Sequence, residues 1–116
     1  MSLDLSTLNS YRDFMGDDAD SFIEDIIRSY LSDAPKLLET LKESMTNGDA
    51  ARFVRSAHTL KSNSATLGAT ELAALAAELE QTGKTTPLQE LAGQVYTAAE
   101  ELNNVLQALQ QYLTGE

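Results

Sequence analysis

Cysteine and tryptophan are absent from the 116 residues, proline occurs twice and histidine once. Without cysteine there is no disulfide and no thiolate site, which suits a reducing compartment; the cytoplasm is the expected location. A lone histidine without cysteine is not a zinc-ligand grouping. A serine hydrolase would have to recruit that same ring as its base, and no glycine-rich phosphate loop is present. Aromatics make up 6% and valine is scarce, so strand-favouring chemistry is thin. Charges interrupt every apolar stretch, so no membrane span is expected, and no signal peptide opens the chain. Basic residues are few, 8 against 18 acidic, for a net charge of −10. Such a surface repels nucleic acid and anionic lipid, and neither is expected as a partner.

What is abundant is helix-forming: leucine, alanine, glutamate, glutamine and lysine dominate. The length fits one domain spanning residues 1–116. Apolar residues at steps of three and four predict a short helix over about 5–15, from Leu5, Leu8, Tyr11 and Met15. A long helix follows over about 18–46, with Pro35 kinking it while the stripe continues in phase. Asn47-Gly48-Asp49 reads as a stop followed by an N-cap, opening a helix over about 50–67 that stops at Gly68. Thr70 is expected to cap a helix over about 70–82 that ends at Gly83. Thr86-Pro87-Leu88-Gln89 reads as a cap with proline at the first helical position, opening a last helix over about 87–113. The connections are short, so the long helices should pack antiparallel. The expected fold is all-α, an up-down-up-down four-helix bundle with the short first helix over one end.

The one imidazole falls in the third of these helices. Phe53, Ala57, Leu60, Ser64 and Leu67 share a face and form its core stripe. His58 then projects roughly 140° from the centre of that stripe, toward solvent. Val54, Arg55, Lys61, Ser62 and Ala65 are its neighbours at helical spacing. Ser62 and Ala65 are small and leave the surface beside the ring open to a bulky partner. Lys61 can bring an ammonium near anything attached to the ring. From Ala50 to Thr70 there are three cations, Arg52, Arg55 and Lys61, and no acid, although the chain as a whole is acidic. That local excess suits an anion, which gains charge-assisted hydrogen bonds. A neutral imidazole is a good nucleophile, and phosphoryl transfer depends mainly on positioning and charge neutralisation that a partner can supply.

The run Ala57-His58-Thr59-Leu60-Lys61-Ser62-Asn63-Ser64-Ala65-Thr66-Leu67-Gly68-Ala69 resembles the signature of histidine phosphotransfer domains of multistep two-component phosphorelays. Leucine stands two residues after the histidine, lysine three, a small residue four and glycine ten. The resemblance is specific over about 13 residues; the helix count and the position of the histidine agree more generally. It implies that His58 accepts a phosphoryl group from a receiver-domain aspartate and passes it to another. It also implies that Lys61 stabilises the group, and that Gly68 turns the chain between helices. Val54, Arg55, Ser62 and Ala65 would form the docking surface. Position 62 is commonly glycine in that family and is serine here, a small residue that keeps the same logic. The implied partners are response-regulator receiver domains, with a hybrid sensor histidine kinase as a further one. No cofactor is expected on this chain, and Mg²⁺ is expected on the receiver. The chain would be a carrier and not an enzyme.

Blander readings stand beside these. Lys61 can be an ordinary solvated lysine, Arg52 and Arg55 can simply balance acidic neighbours, and small residues can pack against another helix. A helical adaptor would give His58 no chemistry. The dimerising domain of a sensor kinase also carries a helical histidine. No ATP-binding segment follows here, however, and four helices in one chain make self-dimerisation unnecessary, so a monomer is expected.

Overall fold

The apolar stripes fold as five α-helices, described for residues 2–115 by a computed structural model. They are α1 (Leu5–Met15), α2 (Ala19–Asn47), α3 (Ala50–Thr66), α4 (Thr70–Thr85) and α5 (Ala92–Thr114). Single 3-10 turns at Gly16–Asp18 and Leu88–Leu91 precede α2 and α5. No strand occurs among the described residues. Helices α2 to α5 pack in sequence, and α5 closes the ring against α2, giving the antiparallel four-helix bundle. The core runs its length: Ile23, Ile27 and Leu41 from α2, Phe53 and Leu60 from α3, Leu72 and Leu79 from α4, and Leu102 and Leu109 from α5 are essentially inaccessible. Each such side chain contributes about 1.5–3 kcal/mol by burial.

Local signals account for most boundaries. The Asp4 carboxylate accepts from the Ser6 backbone N–H at 3.0 Å, and Asp49 accepts from the Arg52 N–H at 3.1 Å, so α1 and α3 both carry side-chain N-caps. Pro35 lies on the exposed side of an α2 helix that continues through it. One end of the bundle is sealed by Leu3 and Leu8, both buried, while the Asp4 N–H donates to the Gly68 carbonyl at 2.7 Å. Gly68 has φ +80°, and a Cβ there would stand 2.5 Å from the Asp4 carbonyl oxygen. The turn after α3 thus needs glycine for its backbone and for the close passage of the N-terminal segment.

Three boundary expectations need correction. Gly83 does not end α4; it is buried inside the helix, where a Cβ would meet the Phe53 ring at 2.8 Å. It permits close approach of α3 and α4, and the helix runs on to Thr85. Thr70 is the first helical residue of α4; Ala69 holds the N-cap position, with no side-chain cap. Pro87 is extended, with ψ 132°, and precedes the 3-10 turn instead of opening a helix. That turn buries Leu88 and Leu91, three residues apart and therefore on one side, and α5 starts only at Ala92.

Candidate functional site

The face of α3 is set by its core stripe. Phe53, Ala57, Leu60, Ser64 and Leu67 are all buried, as their spacing required. The serine among them is satisfied, since its hydroxyl pairs with the Tyr30 phenol at 2.8 Å. Burial pushes that phenol up to about 12. His58 lies on the opposite side with 60% of its side chain exposed. Arg55, Thr59, Ser62 and Ala65 are exposed around it, and Val54 is half-buried toward α4.

The ring is not free, however. Its Nδ1 lies 2.9 Å from Oε2 of Glu80, which α4 brings across from the neighbouring helix. The other oxygen of the same carboxylate accepts from Lys61 Nζ at 2.8 Å. Only 15% of the Glu80 side chain is exposed. The Lys61 hydrogen bond, with a smaller contribution from His58, holds the Glu80 carboxyl below its usual range against the opposing effect of desolvation. An ionised carboxylate only accepts, so the neutral imidazole carries its one proton on Nδ1. Nε2 is left with its lone pair, on the far side of the ring from Glu80. The arrangement is an exposed imidazole held in one tautomer by a carboxylate, as a histidine base is held in hydrolytic triads.

Glu80 was not anticipated from the sequence, where it is one acid among 18. A signal for it did exist. An antiparallel helix pair folded back at Gly68–Ala69 sets residue 58 opposite residue 79 or 80. The expected cation cluster is only partly assembled. Lys61 sits at the imidazole but is engaged by Glu80, and Arg52 reaches Glu43 at 3.4 Å in an exposed pair worth little. Arg55 has no ion pair among the described residues. A cleft of about 340 Å³ between α2 and α3 was also not foreseen. It is lined by Phe22, Ile26, Tyr30 and Leu67, with Asp25 and Asp33 among its polar groups, and opens beside Asn63 and Thr66. No group of three or more potential metal-ligating side chains exists among the described residues. No described helix is long and apolar enough to cross a membrane.

Comparison with known proteins gives a consistent result. The family model described as the Hpt domain matches residues 25–112, from within α2 to near the end of α5. No curated protein sequence matches significantly. Among solved structures, histidine-containing phosphotransfer protein B from Pseudomonas aeruginosa PAO1 superposes with a TM-score of 0.85 at 24% identity, covering 99% of this chain and 96% of that one. The HPT domain from the Hpt sensor hybrid histidine kinase of Shewanella gives a TM-score of 0.81 at 22% identity, again covering 99% and 96%. At these identities the two structures share the fold.

Proposed function

The chain belongs to the Hpt domain family, the histidine phosphotransfer carriers of phosphorelays, and from that premise we propose that its phosphoryl acceptor is Nε2 of His58. It is a carrier and not an enzyme of the usual kind. The observation that carries the assignment is the Nδ1 contact with Glu80, which leaves Nε2 as the exposed nucleophile on an open stretch of helix. Lys61 stands beside the ring and is the cation able to swing from Glu80 toward an incoming phosphoryl oxygen. Ser62 and Ala65 keep the approach low, and Val54 and Arg55 extend the same surface toward the start of α3.

The partner in this reading is a receiver domain that presents an aspartyl phosphate. Transfer breaks the O–P bond of that group and forms the Nε2–P bond. Among the described residues, Glu80 is the one ionisable side chain in polar contact with the His58 ring, and Lys61 is the one other in contact with the Glu80 carboxylate. Further charge neutralisation, including Mg²⁺, is therefore assigned to the receiver. A hybrid sensor kinase carrying such a receiver is an equally suitable donor. The setting is the cytoplasm, and the working unit is a monomer, since α2 to α5 cover one another's apolar faces within one chain.

The test is incubation with phosphorylated receivers and Mg²⁺. Acid-labile, base-stable label should appear on the wild type and not on His58→Gln. Label retained by His58→Gln, or absent from the wild type with every receiver, would overturn the assignment. Sedimentation should give one chain; an obligate dimer would favour the dimerising kinase domain instead.

A further inference from the structure

Phosphoryl transfer leaves a protonation question that the Glu80 contact answers. The attacking imidazole is neutral, with its one proton on Nδ1. When Nε2 bonds to phosphorus, the donor's aspartate leaves with the O–P electron pair and the ring becomes an N-phosphoryl imidazolium, provided that Nδ1 keeps its proton. From that cation the group can leave again with no proton moving, since the Nε2–P electrons return to give neutral imidazole. If Nδ1 is deprotonated, the leaving group is imidazolate, a much stronger base and a much poorer leaving group. An imidazolium left to water loses a proton near pH 6.5, so above that pH the productive form is the minor one unless a local anion holds the proton.

The structure supplies one. Glu80 Oε2 is 2.9 Å from Nδ1, and Lys61, at 2.8 Å from the other oxygen, keeps the carboxylate charged. Glu80 is the group of α4 in contact with the ring. On α3, Lys61 and Arg55 stand one turn to either side, and from α2, Asp33 and Lys36 line a cleft that reaches Thr59 next to His58. We propose that the Glu80 carboxylate holds the Nδ1 proton on phosphorylated His58, so that the phosphoryl group departs from a ring already in its leaving form. Glu80 is thus a positioning residue that acts through the imidazole and sets how readily the carrier gives up its load. The inference rests on His58 being the acceptor.

The experiment uses the full chain with ¹⁵N-labelled histidine, phosphorylated by a receiver, with Nδ1 followed by NMR across pH. In the wild type the phosphorylated ring should keep its Nδ1 proton to at least one pH unit higher than in Glu80→Gln, tenfold in proton affinity or about 1.4 kcal/mol. Transfer to a second receiver at about pH 8 should be correspondingly about tenfold slower in Glu80→Gln. Lys61→Gln, which leaves the carboxylate in place, should titrate at or above the wild type, and Glu80→Asp should fall between wild type and Glu80→Gln. Coincident titrations of wild type and Glu80→Gln would overturn the inference while leaving His58 as acceptor. Absence of phosphohistidine in the wild type would instead remove the acceptor assignment, and the inference with it.

Discussion

Replacing Gly83 with alanine tests whether the α3–α4 contact is as close as described, because two effects of opposite sign compete there. Alanine normally stabilises a helix interior by roughly 1 kcal/mol relative to glycine. At Gly83 the added Cβ would lie 2.8 Å from Phe53 Cδ1, 3.1 Å from Cε1 and 3.2 Å from Val54 Cγ2. Phe53 is wholly buried and has nowhere to swing. Overpacking of this kind costs about 1–3 kcal/mol, so the clash wins and the variant should lose about 1 kcal/mol, roughly 4 °C in Tm for a chain of this size. Gly93, near the start of α5, is the internal control, because nothing lies within 4 Å of its Cβ position. Gly93→Ala should gain about 0.5–1 kcal/mol. Urea denaturation followed by circular dichroism measures both. If Gly83→Ala is as stable as the wild type or more so, the packing argument for this glycine is wrong.

Other outcomes follow from the same contacts. Leu8→Ala should lose about 2–5 kcal/mol by leaving a cavity under α1; a loss below about 1 kcal/mol in urea denaturation would mean that α1 is not part of the core. Gly68→Ala should be more damaging than Gly83→Ala, since it adds a left-handed backbone penalty of about 1–2 kcal/mol to a 2.5 Å approach to the Asp4 carbonyl; equal Tm values would contradict this. Asp49→Ala should cost about 1 kcal/mol through loss of the α3 cap, and Asp49→Asn should largely restore it. Because Lys61 holds the Glu80 carboxyl below its usual value of 4.5, that pair stabilises the fold above the unfolded pKa. The contribution is lost as pH falls from about 4.5 through the lowered folded value. Glu80→Gln should therefore show a shallower loss of stability over that acid range, and identical slopes in wild type and variant would rule the linkage out.

The features legible in the sequence were those set by short-range periodicity. The core stripe of α3 places His58 outward because five residues at steps of three and four leave it no other side. The Asp49 cap and the turn at Gly68 were readable for the same reason, since a cap or a turn is decided within a few residues. Gly83 reads as a stop because glycine ends helices often. Only Phe53, thirty positions earlier, shows that this one makes room for a ring. The opening of α5 misled because Thr86-Pro87 carries a helix-start pattern, while the burial of Leu88 and Leu91 holds the chain in a 3-10 turn. Glu80 escaped because a carboxylate on an acidic surface carries no local mark. Its meaning depends on the register between α3 and α4, which the turn at Gly68 sets.

The most direct test of the account is to locate the P–N bond. After phosphorylation by a receiver, ³¹P–¹⁵N NMR of the histidine-labelled chain should show coupling to Nε2 of His58 and none to Nδ1, where Glu80 already binds. Phosphorus bonded to Nδ1, or attached to a residue other than His58, would contradict it.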